Sequence, residues 1–366
     1  MNITFLIASA DMTGGSRVMA FHAQRLTALG HRVLFMLPGV SPPTTVLRIK
    51  NWLLGNFALP LHRPSHYDGL GLDLRHGSSP NRIEASDVPD ADVVVATWWE
   101  TVEWMSTFPP NKGVHAYFVQ GHEVFDYLPT ARVRATYTAP VHRIAVSTWL
   151  KSVIENLYGG NVDLALNAVD PDVFRSEDRG RQRVPTVGFV YTKTSWKRVD
   201  LILEALRRLV VEFPDLRIVS FGERPFNDAP DLASRVKYVV SPSAVEMPGL
   251  YAECDVWMTA ANNEGFGLPA IEAMACKTPV VSTRCGWPAD VFVDGVNGYL
   301  SDADDVEGLI FGAQQILRLD DAQWRLMSAK AQQTAYQHTP EQSALQFEAA
   351  LERAIHRGRP CPADPS

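Results

Sequence analysis

The sequence predicts an α/β fold built from two doubly wound domains with a cleft between them. Short apolar segments of strand length alternate with segments whose apolar residues recur at helical spacing, and both halves of the chain show this alternation. The chain has 366 residues, of which 46% are hydrophobic and 20% charged, so it is long enough for two domains of ordinary size. We place a Rossmann-like domain over residues 1–167 and a second one over residues 168–339.

The first domain opens with a strand, a glycine turn, a helix and a second strand. Ile3–Ala8 and Arg32–Leu37 are short apolar runs typical of buried strands, and a helical pattern follows from Ser16. The turn before this helix lacks the Gly-x-Gly-x-x-Gly spacing of dinucleotide-binding proteins. Taken alone, Gly14 and Gly15 therefore fit a plain turn as well as a ligand contact.

Two features of the first domain could contact an acceptor. Residues 46–55 could form a short amphipathic helix, which would either touch a membrane surface or, as we favour, pack on the domain. Trp98, Trp99 and Trp104 follow the buried strand Val93–Thr97, where ligands bind in parallel sheets. These side chains would line an acceptor pocket or pack in the core, and the sequence favours neither.

His122 follows the carboxyl end of another predicted strand, His115–Val119. A histidine at this position could transfer a proton or hydrogen-bond a ligand hydroxyl. The loop position favours a functional role over a structural one. The remaining predicted elements of this domain are a strand at Arg143–Val146, a helix at Thr148–Tyr158 and a strand at Asp163–Leu166.

The second domain repeats the alternation of strands and helices. Thr186–Val190 predicts its first strand, and Lys193 and Lys197 lie in the loop that follows. The next helix has apolar residues at helical spacing: Val199, Ile202, Leu206 and Leu209. The later elements are strands at Arg217–Phe221, Val236–Val240 and Val256–Thr259, and helices at Val306–Leu319 and Ala322–Gln333.

The segment Asn263–Pro279, NEGFGLPAIEAMACKTP, predicts an anion site. Pro269 suits the first turn of a helix, because its missing N–H would be unpaired there anyway. The free amides of that turn and the positive end of the helix dipole would hold a phosphate. Gly265 and Gly267 would let a ligand approach the backbone closely, since they carry no Cβ.

Two carboxylates flank this predicted phosphate site. Glu264 lies just before the helix, where its charge would repel phosphate, so we expect it to face sugar hydroxyls. Glu272 lies about one turn into the helix and could accept hydrogen bonds from a ribose diol. The site would then hold a nucleoside diphosphate, with a sugar on one side and the ribose on the other.

Residues 263–300 resemble the donor-site signature of retaining GT-B glycosyltransferases of family four, the group 1 glycosyl transferases. In that family a Glu, seven residues of any kind and a second Glu recur with this Gly-Phe-Gly-Leu-Pro insert. The resemblance implies a GT-B fold and transfer of a sugar, with retention, from a nucleotide sugar to a hydroxyl acceptor in polysaccharide or glycoconjugate biosynthesis. It also implies that a final helix over residues 340–356 crosses back to the first domain. The residues that follow, RGRPCPADPS, themselves predict a tail over 357–366.

The resemblance assigns roles to individual residues. Glu264 and His122 would be catalytic, and no covalent intermediate with the enzyme is required. The implied donor-binding residues are Lys193, Lys197, Phe266, Gly267, Leu268, Glu272, Gly14 and Gly15.

The sequence departs from the family pattern at several places. Trp287 stands where a second Gly usually follows Gly286, and Ala168 replaces the Gly of the family's Asn-Gly-Val-Asp run. Lys277 stands where the family usually has Gly, and the Arg that normally accompanies the Lys at position 197 is missing, so Lys193 is a looser match. Two alternatives therefore stay open. One is a GT-B relative with other chemistry on nucleotide sugars, such as an epimerase, and the other is a non-catalytic scaffold that binds nucleotide sugars.

Composition limits the partners. The net charge is -7, from 34 basic and 41 acidic residues, and no basic stripe indicates a nucleic-acid partner. The four cysteines lack metal-like spacing, and no Asp-x-Asp string looks like a donor-site metal clamp, so we expect neither a metal nor a cofactor. The expected partners are a nucleotide sugar and a hydroxyl-bearing acceptor, which could be a glycan, a lipid-linked sugar or a small molecule.

The sequence also predicts a location. The first apolar run is short and lacks a basic leader, so it is not a convincing signal peptide. No apolar run is long enough to span a bilayer. We therefore expect a cytoplasmic protein, and a peripheral contact at the inner face of the membrane stays open.

Overall fold

The computed structural model describes residues 1–40 and 64–358, which form two compact units. The first unit comprises the described residues of Met1–Ala145, Ile154–Ala165 and Ala344–Ser366. The second comprises Val146–Val153 and Leu166–Ser343. It thus includes Val146–Val153, which the sequence-based division places in the first domain. The amphipathic helix predicted within residues 46–55 lies outside the described residues, as does most of the predicted tail.

A parallel sheet of seven strands forms the centre of the first unit. Its order is β3-β2-β1-β4-β5-β6-β7, and in β1 Ile3 lies between Val33 of β2 and Val93 of β4. Strands β2 and β3 thus lie on one side of β1 and strands β4 to β7 on the other, so the strand order reverses between β1 and β4. The strands are β1 (Asn2–Leu6), β2 (Arg32–Leu37), β3 (Asp73–His76), β4 (Val93–Ala96), β5 (Val114–Val119), β6 (His142–Ala145) and β7 (Val162–Leu164).

The helices of the first unit bury aromatic side chains against this sheet. Phe347, on the last helix, lies 6.0 Å from Phe5 and 4.6 Å from Phe118, measured between ring centroids. The last helix therefore contributes to the core of the first unit. The helices that lie wholly or partly in this unit are α1 (Gly14–Ala28), α2 (Trp99–Met105), α3 (Thr130–Tyr137), α4 (Thr148–Tyr158) and α11 (Pro340–Gly358), and the last two begin in the second unit.

A parallel sheet of six strands forms the second unit, in the order β10-β9-β8-β11-β12-β13. In β8, Val187 lies between Ile218 of β9 and Val256 of β11, so the reversal falls between β8 and β11. The strands are β8 (Thr186–Val190), β9 (Arg217–Gly222), β10 (Val236–Val240), β11 (Val256–Thr259), β12 (Val280–Thr283) and β13 (Gly298–Ser301). The helices are α5 (Val199–Glu212), α6 (Met247–Ala252), α7 (Leu268–Ala275), α8 (Gly286–Val291), α9 (Val306–Leu317) and α10 (Asp321–Ala335).

These two sheets confirm the predicted α/β class with two doubly wound, Rossmann-like domains. The apolar stripe predicted on α5 is buried, because Val199, Ile202, Leu206 and Leu209 all face the core. The sequence did not predict β3. Three of its four residues are exposed, and its sequence, DLRH, lacks the apolar run that marks an inner strand.

Lys277 occupies the position that ends α7. Its backbone φ is 61°, and the Lys277 and Thr278 amides donate to the Met274 and Ala273 carbonyls, at 3.0 and 2.9 Å. This is a Schellman motif, in which the left-handed residue is usually Gly. The family preference for Gly at this position therefore has a backbone cause, and the substitution leaves the motif intact.

We expect Lys277→Gly to be more stable than Lys277→Ala by about 1 kcal/mol. Both variants lose the ion pair that Lys277 makes with the exposed Asp178, but only glycine relieves the left-handed backbone. Unfolding midpoints in denaturant measure the difference. Equal midpoints for the two variants would show that position 277 is not strained.

Candidate active site

The predicted donor-site residues of the second unit lie where its sheet order reverses. Lys193 and Lys197 are in the loop after β8, and Glu264 is in the loop after β11, at the carboxyl edge of the sheet. The two loops are joined by a hydrogen bond of 3.0 Å from the Asn262 amide to the Trp196 carbonyl. Parallel sheets of this order bind ligands at this edge.

Lys197 and Glu264 form an ion pair through the Lys197 ammonium and the Glu264 carboxylate. Their side chains are 34% and 22% exposed, so water or a ligand can reach both. From the sequence, these residues are expected to have separate roles, Lys197 at the phosphate and Glu264 at the sugar. The structure brings them together at a single point.

The Gly-Phe-Gly loop leads from Glu264 into α7. Gly267 precedes the helix with φ 96°, and among the described residues no side chain caps the helix start. An ideal Cβ on Gly267 would lie 3.6 Å from Glu264 Cγ, so this glycine faces the carboxylate side chain. The first-turn amides, which begin at Leu268, and the helix dipole thus lie next to the ion pair.

Phe266 anchors the same loop to the core. Its ring stacks on the buried Trp287 at 5.9 Å, and its carbonyl accepts a hydrogen bond of 2.8 Å from the Trp287 amide. A Cβ on Gly286 would lie 2.5 Å from the Phe266 carbonyl oxygen, so only glycine allows this approach. Phe266 therefore holds the loop against the core through its ring and its carbonyl. Its predicted contact with the donor stays a prediction.

Ser147 is a site residue that the sequence analysis missed. Its buried hydroxyl donates to the Gly265 carbonyl at 2.6 Å and accepts from the Leu150 amide at 3.0 Å. A serine just before a helix is a recognisable cap signal. The sequence could have revealed the cap, but not the contact with a loop 118 positions away.

Glu272 lies inside the second unit rather than at its surface. Its side chain is buried, with only 2% of the residue exposed, and its carboxylate accepts a hydrogen bond of 2.7 Å from the Tyr251 hydroxyl. A ribose contact by Glu272 would therefore have to share the carboxylate with Tyr251. The predicted ribose contact stays a prediction.

Lys193 and Lys197 form ion pairs with different carboxylates. It forms an ion pair with Asp228, whose carboxylate also accepts a hydrogen bond of 2.6 Å from the Tyr191 hydroxyl. The Lys193 side chain is 49% exposed. Of the two predicted phosphate-binding lysines, the structure places only Lys197 beside Glu264.

In the first unit, Gly14 and Gly15 begin α1 at the carboxyl end of β1. Thr13 caps this helix through its side chain, which accepts a hydrogen bond from the Ser16 amide. A Cβ on Gly15 would lie 3.5 Å from the Gln120 side chain, so this turn approaches the loop after β5. His122 lies in that loop.

Of the three tryptophans after β4, Trp99 is buried and Trp98 and Trp104 are partly exposed. The Arg132 guanidinium lies over the Trp99 ring at 4.9 Å. Trp99 therefore packs in the core, while a pocket role stays open for the other two.

The His122 ring lies among tyrosines. Its Nε2 is 2.8 Å from the Tyr158 hydroxyl, and the side chain is half-buried. Burial, and to a lesser degree the charge of Arg134, lowers the pKa of His122. The imidazole is therefore neutral over more of the physiological pH range than a free histidine.

Glu123, next to His122, is a buried carboxyl group. It accepts hydrogen bonds from the Trp99 amide at 3.0 Å and from the Tyr117 hydroxyl at 3.2 Å. Desolvation raises its pKa to about 8, and these two hydrogen bonds oppose the shift. The sequence analysis missed this group, because a glutamate in a loop is normally exposed.

The stability of Glu123→Gln relative to the parent protein should depend on pH. The folded state holds the Glu123 proton more tightly than the unfolded chain, so this contribution is complete below the unfolded pKa and is lost as the pH rises towards 8. Between pH 5 and pH 8 the variant should gain up to about 4 kcal/mol relative to the parent. Denaturation of both proteins across this range measures the gain, and a constant difference would show that Glu123 is not held protonated.

A metal-binding cluster and a membrane-spanning helix are both absent from the part of the chain that the structure describes. Within residues 1–40 and 64–358, no cluster of three or more His, Cys, Asp or Glu side chains is arranged to hold a metal ion. Among the same residues, no helix combines the length and the apolar character that crossing a membrane requires.

Residues 181–319 match the family model described as Glycosyl transferases group 1. The D-inositol 3-phosphate glycosyltransferase of Mycobacterium marinum is 29% identical over 215 residues, which cover 53% of this chain and 45% of that protein. The chain thus spans about half the length of the curated relatives it matches.

Two solved structures share the fold of this chain over most of its length. Anabaena Alr3699/HepE, in complex with UDP and glucose, aligns with a TM-score of 0.70 at 16% identity, over 96% of this chain and 100% of that one. Sucrose-phosphate synthase from Thermosynechococcus elongatus aligns with a TM-score of 0.72 at 16% identity, over 98% and 100%. Residues 181–319 are therefore similar to the Glycosyl transferases group 1 family, and the chain shares the GT-B fold of these solved structures.

Proposed function

We propose that this chain is a retaining glycosyltransferase of family four, which moves a sugar from a nucleotide sugar to a hydroxyl acceptor. The observation that carries the proposal is the Lys197–Glu264 ion pair next to the start of α7. One sheet edge thereby holds a cation and a helix N-terminus for a diphosphate, and a carboxylate for hydroxyl groups. The Glycosyl transferases group 1 match covers these same residues.

The leaving group needs stabilisation as the bond between sugar and diphosphate breaks. Negative charge grows on the leaving oxygen, and Lys197 and the first-turn amides near Gly267 and Leu268 would stabilise it. Fixed donors of this kind can take the place of a metal. We therefore propose that transfer requires no metal ion, with Lys193 as a more distant contributor.

Glu264 would serve the sugar. Positive charge grows on the sugar ring in the transition state, and a carboxylate that accepts sugar hydroxyls holds a negative charge nearby. Without a ligand, Lys197 neutralises Glu264. A bound donor would offer its phosphate to Lys197 and its hydroxyls to Glu264, so we propose that donor binding exchanges the ion pair for two ligand contacts.

The family resemblance supplies the other parts of the proposal. It assigns His122 to the donor sugar and Gly14 and Gly15 to the donor phosphate and the acceptor, and it implies retention. Glu272 would contact the ribose only by sharing its carboxylate with Tyr251.

The solved relatives suggest a donor class. Anabaena Alr3699/HepE has been solved with UDP-glucose as well as with UDP and glucose. We therefore propose a UDP-sugar donor. The acceptor would be a glycan, a lipid-linked sugar or a small molecule, in cytoplasmic synthesis of a polysaccharide or glycoconjugate, with a peripheral contact at the membrane as a further proposal.

A thermal-shift panel tests the donor. A ligand that binds only the folded protein at 100 times its Kd adds about 2.7 kcal/mol of stability. We expect UDP and one UDP-sugar to raise the Tm by several degrees, in the presence of EDTA as well as without it, while GDP, ADP and dTDP leave it unchanged. No shift with any of the four nucleotides, or a shift that EDTA abolishes, would contradict the proposal.

A further inference from the structure

The backbone on either side of His122 is held by one buried hydroxyl group. The Tyr137 hydroxyl accepts a hydrogen bond of 2.8 Å from the Glu123 amide and donates one of 3.0 Å to the Gly121 carbonyl. A tyrosine hydroxyl can do both at once, because it has one donor and two acceptor positions. The peptide groups that flank His122 are therefore fixed from within the core of the first unit.

The imidazole ring has a separate support. Its Nε2 lies 2.8 Å from the Tyr158 hydroxyl at the end of α4. The Tyr137 and Tyr158 rings stack on each other at 4.9 Å, and both lie within 6 Å of the imidazole. The Tyr158 hydroxyl contacts the imidazole and the Tyr137 hydroxyl contacts the backbone, and these two tyrosines stack on each other.

Glu123, the residue after His122, makes two further hydrogen bonds. Its buried carboxyl group joins the amide at the start of α2 to the Tyr117 hydroxyl. Burying the carboxyl group of Glu123 and the hydroxyls of Tyr117 and Tyr137 costs free energy that apolar side chains would not cost. Buried polar groups that are hydrogen-bonded to one another favour one geometry. A loop that only closed the fold would not require them.

We propose that Tyr137, Tyr158 and Glu123 are positioning residues, which hold the His122 loop and imidazole in the orientation that sugar transfer requires. We call Tyr117, Glu123, Tyr137 and Tyr158 the His122 cradle. The inference rests on the proposed transferase function. It predicts that the cradle acts on turnover through His122 and leaves the nucleotide site of the second unit unaffected.

The test is a double-mutant cycle of Tyr158→Phe and His122→Ala, with Tyr137→Phe as an independent removal of the backbone support. We expect each tyrosine variant to lower kcat about 10- to 100-fold and to leave the Kd for UDP within about twofold. In the His122→Ala background, Tyr158→Phe should have no further effect, because it acts only through the imidazole. Tyr336→Phe, which removes a half-buried hydroxyl from the second unit, is the matched control and should leave kcat unchanged.

Two results would overturn the inference. One is an equal fall in kcat for Tyr158→Phe with and without His122. The other is no fall for either tyrosine variant when His122→Ala itself lowers kcat. If the parent protein transfers no sugar, the proposed function is wrong. NMR of the His122 imidazole then tests, independently of activity, whether the cradle contacts His122. Its ring signals and titration should change in Tyr158→Phe but not in Tyr336→Phe, and unchanged signals in both would refute the contact.

Discussion

Replacing Glu264 with alanine should lower kcat about 10²- to 10³-fold while UDP binds as tightly as before or more tightly. The first effect follows because the carboxylate would face the charge that develops on the sugar ring. The second follows from the ion pair. Lys197 is already engaged by Glu264, so removing the carboxylate frees a cation for the phosphate. Steady-state kinetics and calorimetric titration of UDP measure the two effects separately.

Glu264→Gln is the matched variant. It keeps the size and a hydrogen-bond acceptor but removes the charge, so it should tighten UDP binding like alanine and lose less turnover. A parallel loss of turnover and of UDP affinity in both variants would place Glu264 at the phosphate and contradict its assignment to the sugar.

Replacing Lys197 with alanine should weaken UDP binding about 10- to 100-fold, which corresponds to one lost charge-assisted contact of about 1.5–3 kcal/mol. The loss should shrink at high salt, because the contact lies between charges that water can reach. Lys193→Ala should weaken binding less than about threefold, since Lys193 is paired with Asp228 and is not placed beside Glu264 and the start of α7.

Lys237→Ala is the control for the lysine variants. Lys237 forms an ion pair with Glu253 at a similar exposure to that of the Lys193 pair, but it lies on β10, outside the candidate site. It should leave the UDP affinity unchanged. Equal losses for Lys193→Ala and Lys197→Ala would contradict the assignment of Lys197 as the main phosphate contact.

Most of the second unit could be predicted from its sequence, because local patterns determine it. The apolar run of β8 and the helical spacing of α5 are local signals, and so is the Pro-containing start of α7. The edge strand β3 had no such signal, because its exposed residues are polar. The order of the strands within each sheet is known from the structure, and it gives the direction in which the chain crosses that sheet.

The sequence predicts the residues of the candidate site but not the contacts between them. Glu264 and Lys197 were found through the signature, yet their pairing joins loops 67 positions apart. The burial of Glu272 depends on Tyr251 from another helix, and the support of His122 depends on Tyr158, 36 positions away. Such contacts are fixed by tertiary packing, and no local pattern reports them.

The most direct test of the central claim is an NMR time course of a UDP-sugar with the protein, with and without hydroxyl acceptors. The account predicts that the anomeric signal of the donor disappears only when an acceptor is present. It also predicts that UDP forms in equal amount, that the product keeps the anomeric configuration of the donor, and that Glu264→Ala largely abolishes the change. Conversion of the donor to an isomer without any acceptor would contradict the account, and so would a product of inverted configuration.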